Sequence, residues 1–255
     1  MTAQRWLNKF QDVVRRDGWL TAAEKLGTLF RNRLSDWYHE YNIRGLTDVE
    51  ARFNYIYEKN YWGSKESKSG CGSTMASTLT FRRQFELVLQ EMEIKSLFDA
   101  RCGDWNWMQH VKLPKDLRYL GGDIVDKLIS ELNTRYSSEL IGFSQFNIIS
   151  DRFPQVDLWF CRDCLFHFSD ADIFKVLKNF VESKSAFAML TSQPSGTNTV
   201  NILTGEYRDL NLELAPFNLP KPLRVIEDTP VGGTMRFVGL WNRQQIASVL
   251  TMAPS

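Results

Sequence analysis

The chain has 255 residues, 43% of them hydrophobic and 24% charged, with a net charge of +1 at neutral pH. That length supports one sizeable domain with an appendage, or two small ones, and the near-neutral charge gives no strong electrostatic signal for nucleic acid. MTAQRWLNKF carries no secretory apolar core, no run reaches the ~18 apolar residues of a membrane span, and Cys71, Cys102, Cys161 and Cys164 are too few for a disulfide scaffold; a cytoplasmic chain is expected.

In chain order, Trp6, Leu7, Phe10, Val13 and Val14 share one helical face over residues 4–16, and Asp17-Gly18 breaks the pattern. Thr21 and Glu24 have the spacing of a capping box, and Leu26, Leu29, Phe30 and Leu34 predict a second helix. Residues 1–59 therefore read as an N-terminal helical arm or cap. Residues 60–80, NYWGSKESKSGCGSTMASTLT, are rich in Gly and Ser, lack any period and open on Tyr61 and Trp62, as a lid or binding loop would. Residues 81–255 form the main domain. A helix ending near residue 93 precedes strands at Ser96–Ala100, Tyr119–Asp123, Phe143–Ile148, Leu158–Arg162 and Ala186–Thr191, with helices near 105–111, 125–136 and 170–183. This alternation predicts an α/β fold, a Rossmann-like, mostly parallel sheet with helices on both faces. A loop-rich stretch follows, then strands near Leu223–Glu227 and Met235–Trp241 with Gly232-Gly233 between them, a C-terminal β-hairpin.

Ligands of open α/β sheets bind at the carboxyl ends of the strands. Asp99 ends the first strand, Asp123 the second and Asn147 the third. Asp123 follows Asp99 by 24 positions (123 − 99), which suits a carboxylate accepting from ribose hydroxyls on the neighbouring strand. Asn147 is placed to bond an adenine edge, with Ile148 over its face. The turn after Asp99 has one glycine, Gly103, where a dinucleotide fingerprint needs three, and Asp104 would repel a pyrophosphate while pairing with an amine. A ligand with an adenosine, an α-amine and an α-carboxylate fits better than NAD.

After the fourth strand, Cys161-Arg162-Asp163-Cys164-Leu165-Phe166-His167 brings polar groups to the ligand end. His167 suits a general base, and Asp163 a base or a substrate-orienting group, on the same side of a helical turn. The C-x2-C-x2-H spacing has no second ligand pair, so no metal is expected. Arg82 is a candidate anchor for the cofactor carboxylate, and Trp62 a residue that closes over the cofactor.

FDARCGDWNWM, YLGGDIVDKLI, FNII and DLWFCRDCLFHFSD resemble, in order, the first, second, third and fourth motifs of the class I S-adenosylmethionine-dependent methyltransferases, over about residues 95–192. The loop YWGSKESKSGCGSTMAST and the later LAPFNLPKPL resemble a bacterial subgroup of small-molecule or glycan-type enzymes. The resemblance implies S-adenosylmethionine as cofactor, held by Trp62, Arg82, Asp99, Arg101, Gly103, Asp104, Asp123, Ile124, Asn147, Ile148 and Arg162, with Asp163 and His167 facing the methyl group. It implies in-line methyl transfer to a hydroxyl or amine of a small-molecule or glycan acceptor. Arg101 stands where the family usually has glycine. That departure, with the single-glycine turn, leaves open a non-catalytic scaffold that kept the fold. Arg15, Arg16, Lys25, Arg31 and Arg33 in the arm leave open a protein or RNA acceptor. The sequence does not give the oligomeric state.

Overall fold

A computed structural model describes residues 19–231 and 233–251. The chain divides at Leu46–Thr47 into two compact units. The first contains helix α1 (Trp19–Gly45). Thr21 and Glu24 lie inside this helix, so they form no N-terminal cap; a single internal glycine, Gly27, costs about 1 kcal/mol relative to alanine and does not break it. The predicted helix over 4–16 and the Asp17-Gly18 break lie outside the described residues.

The second unit begins with α2 (Val49–Glu58), started by the Asp48 carboxylate accepting from the Ala51 N–H, and α3 (Leu79–Glu91). Then come β1 (Ser96–Ala100), β2 (Arg118–Asp123), α4 (Asp126–Tyr136), β3 (Ile141–Gln145), β4 (Leu158–Cys161), α5 (Asp170–Glu182), β5 (Phe187–Ser192), β6 (Arg224–Glu227), β7 (Phe237–Asn242) and α6 (Arg243–Leu250). The seven strands are ordered β3-β2-β1-β4-β5-β7-β6. All neighbouring pairs from β3 to β5 are parallel; β7 runs antiparallel to both β5 and β6. The expected mostly parallel sheet with a C-terminal hairpin is present, with its hairpin glycine Gly232 outside the described residues.

Right-handed crossovers lead outward from β2 to β3 in one direction and from β4 to β5 in the other, which puts α4 and α5 on opposite faces. The period of two along β4 agrees. Trp159 stacks on Phe180 of α5 at 5.2 Å, while its neighbour Phe160 stacks on Phe85 of α3 at 4.7 Å. Trp159, Phe160, Phe98 and Leu158 are fully buried, as expected for central strands covered on both sides.

The segment 105–111, expected as a helix, contains only a short 3₁₀ turn at Met108–His110. Trp105 takes a left-handed backbone, with φ +57, and buries its indole against Tyr119, Tyr136 and Phe143. Tertiary packing of that ring overrides local propensity. β3 ends at Gln145, earlier than expected, because the next residues turn: the Asp151 carboxylate accepts from the Asn147 N–H and the Asn147 side-chain oxygen from the Ile149 N–H.

The amino end of the sheet is tied by one carboxylate. Asp157, before β4, accepts from the Lys95 and Ser96 N–H groups at 2.9 Å and from the Ser96 hydroxyl at 3.0 Å. Asp157→Ala orphans these donors far from the cleft. It is expected to cost about 2 kcal/mol, read as a lower urea midpoint, with ligand binding unchanged once folded.

Candidate functional site

The strand order reverses between β1 and β4, so the crevice of the sheet opens at their carboxyl ends. A cleft of about 270 Å³ lies there, lined by Asp99, Arg101, Gly103, Asp123, Asp163 and His167 among others. A second hollow of about 20 Å³ adjoins it, lined by Asp123, Ile124, Asn147 and Ile148. Arg101 borders both.

The turn after β1 is built on β2. The Arg101 and Cys102 N–H groups both donate to the Gly122 carbonyl, at 2.7 and 2.9 Å. The Asp123 carboxylate accepts from the Gly103 N–H at 3.3 Å and the Val125 N–H at 3.1 Å, joining the two turns. Burial pushes the Asp123 carboxyl above its usual range, while the Arg101 guanidinium and these N–H groups oppose the rise. Asp99 accepts from the Tyr119 hydroxyl at 2.7 Å; burial, helped by the nearby Asp123 charge, lifts it to about 7.

Arg101 has φ +79. Its guanidinium lies 4.7 Å from the Phe53 ring centre and 4.4 Å from that of Trp62, and its Nη1 is buried without a hydrogen-bond partner.

The Gly/Ser loop is held down by the first turn. Asp104 accepts from the Ser67 hydroxyl at 3.0 Å, the Lys68 N–H at 2.7 Å and the Ser69 hydroxyl at 3.2 Å, and its own N–H donates to Ser69 Oγ at 3.0 Å. Asp104 thus organises the loop instead of lining the main cleft. Residues Lys68–Ser73 of that loop form part of the cleft wall. Arg82 does not line the cleft either: its Nη2 donates to the Met75 carbonyl at 3.2 Å.

At the end of β4 the Arg162 guanidinium is buried in a charge cluster. Nε and Nη2 donate to the Asp228 carboxylate, each at 2.9 Å, and Nη2 also reaches the Gly72 carbonyl at 2.9 Å. Nη1 lies 3.1 Å from Asp163, which also pairs with Arg236 at 2.6 Å. Burial opposes the Arg162 charge, but Asp163 and Asp228 more than offset it and hold its pKa up. Gly72 fits this corner because a Cβ there would come within 2.8 Å of both Arg236 Nη2 and Asp163 Oδ2.

Asp163, with φ +54, keeps Oδ1 buried and without a partner. His167 ends a 3₁₀ turn (Leu165–His167); its Nδ1 lies 2.8 Å from the Glu206 carbonyl and its ring stacks on Trp62 at 4.9 Å. A carbonyl can only accept, so Nδ1 carries the proton and Nε2 is left as an acceptor. Burial, with the charges of Arg101 and Arg236, drives the His167 pKa down to about 3. Among the described residues, no three His, Cys, Asp or Glu side chains are grouped to hold a metal ion, and no helix is long and apolar enough to cross a membrane.

Most sequence candidates meet at the two hollows. Sequence reasoning missed Asp228 and Arg236. They follow β6 and precede β7, so the antiparallel β7 returns them to the edge where the parallel strands end. It also missed Phe53 and Tyr207, whose rings border the cleft.

No protein-family model and no curated protein matches the sequence. Among solved structures, the N-methyltransferase NodS from Bradyrhizobium japonicum WM9, in complex with S-adenosylhomocysteine, superposes with TM-score 0.56 at 9% identity over 73% of this chain and 97% of its own. Magnesium protoporphyrin IX methyltransferase from Synechocystis PCC 6803, with bound S-adenosylhomocysteine, gives TM-score 0.50 at 12% identity over 74% of this chain and 92% of its own. The methyltransferase domain of bacterial CtHen1 gives 0.50 at 13% over 65% and 98%. The chain has the fold of the class I S-adenosylmethionine-dependent methyltransferases.

His167 and Asp99 impose opposite pH dependences on stability. From pH 3 to its ordinary 6.5, His167 binds a proton only in the unfolded chain, so its contribution is full above 6.5 and lost as pH falls toward 3. Asp99 keeps, when folded, a proton that the unfolded chain releases from 3.8 upward. Its contribution is full below 3.8 and lost as pH rises through 7. Between about pH 4 and 6.5 the two slopes oppose each other. In His167→Gln, the melting temperature is expected to fall from pH 4 to 7; in Asp99→Asn it is expected to rise from pH 4 to 6.5. Thermal melts showing slopes of the same sign would contradict this electrostatic picture.

The left-handed Arg101 stores about 1–2 kcal/mol relative to glycine, and its side chain stands between the two hollows. Arg101→Gly is expected to raise the melting temperature by a few degrees and to tighten S-adenosylhomocysteine binding severalfold by calorimetry. Weaker binding would mean that the guanidinium holds the ligand.

Proposed function

We propose that the protein is a methyltransferase that uses S-adenosylmethionine to methylate a hydroxyl of a small-molecule or glycan acceptor. The observation that carries this reading is the convergence of Asp99, Asp123, Asp163 and the acceptor nitrogen of His167 on one cleft at the strand reversal. The complexes of NodS and the protoporphyrin methyltransferase with S-adenosylhomocysteine, on the same fold, support the cofactor.

The donor set fits such a cofactor. Each oxygen of the buried Asp123 accepts one N–H bond and retains capacity for a ribose hydroxyl. Ile124, Asn147 and Ile148 lie in the adjoining hollow, where an adenine would sit. Asp99 and the Arg101–Gly103 turn, which line the main cleft, would hold the amino-acid portion. When bound, the cofactor supplies an activated methyl group on a sulfonium.

The residues past β4 serve the acceptor. The buried, unpartnered Asp163 Oδ1 accepts from a hydroxyl, and Arg236 at the same cleft donates to a neighbouring oxygen. Trp62, Phe166 and Tyr207 surround His167 with aromatic faces that suit a flat molecule or the apolar face of a sugar. His167 is neutral at physiological pH, so Nε2 accepts a hydrogen bond from the reacting hydroxyl. Nε2 would take the hydroxyl proton as that oxygen accepts the methyl group the bound cofactor would supply.

Calorimetry with S-adenosylhomocysteine, with NAD as control, tests the cofactor. Micromolar binding of the first alone is expected, weakened at least tenfold in Asp123→Ala. His167→Ala is expected to lower turnover about 10²-fold with cofactor affinity preserved. Absence of S-adenosylhomocysteine binding would favour a scaffold that kept the fold.

A further inference from the structure

Helix α1 carries an apolar stripe that solvent reaches. Trp19, Phe30, Trp37 and Tyr41 are 62–69% exposed, and Leu34 is 51% exposed. With Ala23 and Leu26 these residues follow one another at intervals of 4, 3, 4, 4, 3 and 4. At 3.6 residues per turn that spacing keeps them on one face. The series reads the same in both directions about Phe30.

A sequence with that symmetry is complementary to itself when two helices run antiparallel. A two-fold axis at Phe30 sets Trp19 opposite Tyr41, Ala23 opposite Trp37 and Leu26 opposite Leu34, with the two Phe30 rings meeting at the axis. The small Ala23 leaves room for the Trp37 indole, which stacks on Tyr41 at 5.8 Å. At roughly 150–250 Å² per aromatic side chain, the stripe, with Leu20 and Tyr38 at its edge, offers on the order of 800 Å², the share each partner contributes to a standard interface. The polar faces do not oppose the pairing: α1 mixes four basic residues (Lys25, Arg31, Arg33, Arg44) with three acidic ones (Glu24, Asp36, Glu40). That mixture lacks the basic cluster that would favour an anionic lipid surface.

We propose that α1 is a homodimerisation helix, pairing antiparallel with α1 of a second copy about a two-fold axis at Phe30. The interface is isologous and closes at two chains.

Sedimentation equilibrium of the full chain at about 10 µM, a concentration at which interfaces of this area associate, is expected to give a dimer. Phe30→Asp, at the solvent-exposed centre of the stripe, is expected to give a monomer with an unchanged circular dichroism spectrum. In a Cys71→Ser background, Phe30→Cys is expected to cross-link to itself on mild oxidation, because residue 30 faces residue 30. Tyr41→Cys, facing Trp19 of the second copy, is expected not to. A wild-type monomer, a dimer that survives Phe30→Asp, or cross-linking of both cysteine variants alike would overturn the proposal. So would a monomer that floats with anionic phosphatidylserine vesicles, which would assign the stripe to a membrane.

Discussion

The far wall of the cleft depends on one buried cation. Arg162 leaves the central strand β4 and enters a region with almost no water, where an uncompensated guanidinium would be costly. Its compensation comes from its chain neighbour Asp163 and from two places distant in sequence: Asp228 after β6 and the carbonyl of Gly72 in the Gly/Ser loop. The cluster therefore joins the hairpin and the loop to the middle of the sheet. Removing one partner from such a cluster costs about 3–5 kcal/mol, so these elements are constrained to meet at the far wall of the cleft. Arg236 closes the circuit from β7 by pairing with both carboxylates.

A second electrostatic arrangement governs the near wall. Burial makes charge unfavourable for Asp99 and His167 alike, but in opposite chemical senses: the acid holds its proton and the base sheds its own. Arg101 and Arg236 act in the same direction as burial on His167. The result is a cleft whose imidazole remains an unprotonated hydrogen-bond acceptor across the physiological range.

Two carboxylates that the sequence both assigns to the cofactor take different places in the structure. Asp123 faces both hollows and binds the two turns together, whereas Asp104, one residue past the glycine of the first turn, faces outward and anchors the loop. The Gly122 carbonyl, which accepts from the Arg101 and Cys102 N–H groups, ties the first turn to the strand that ends in Asp123.

The sequence by itself determined the alternation of strands and helices, because apolar runs such as Leu158–Cys161 are short, continuous and bounded by turns. It also placed Asp99 and Asp123 at the carboxyl ends of their strands, and Asn147 and His167 on the same side of the sheet, since in a parallel sheet every such end lies on one edge. Only the tertiary structure decided what depends on the direction and packing of distant elements. The antiparallel return of β7 brings Asp228 and Arg236 to Arg162. The burial of Trp105 replaces a predicted helix with a 3₁₀ turn. The aromatic pair Phe53 and Trp62 captures the Arg101 guanidinium. Each is a contact between segments whose separation along the chain carries no local pattern, so no periodicity could announce it.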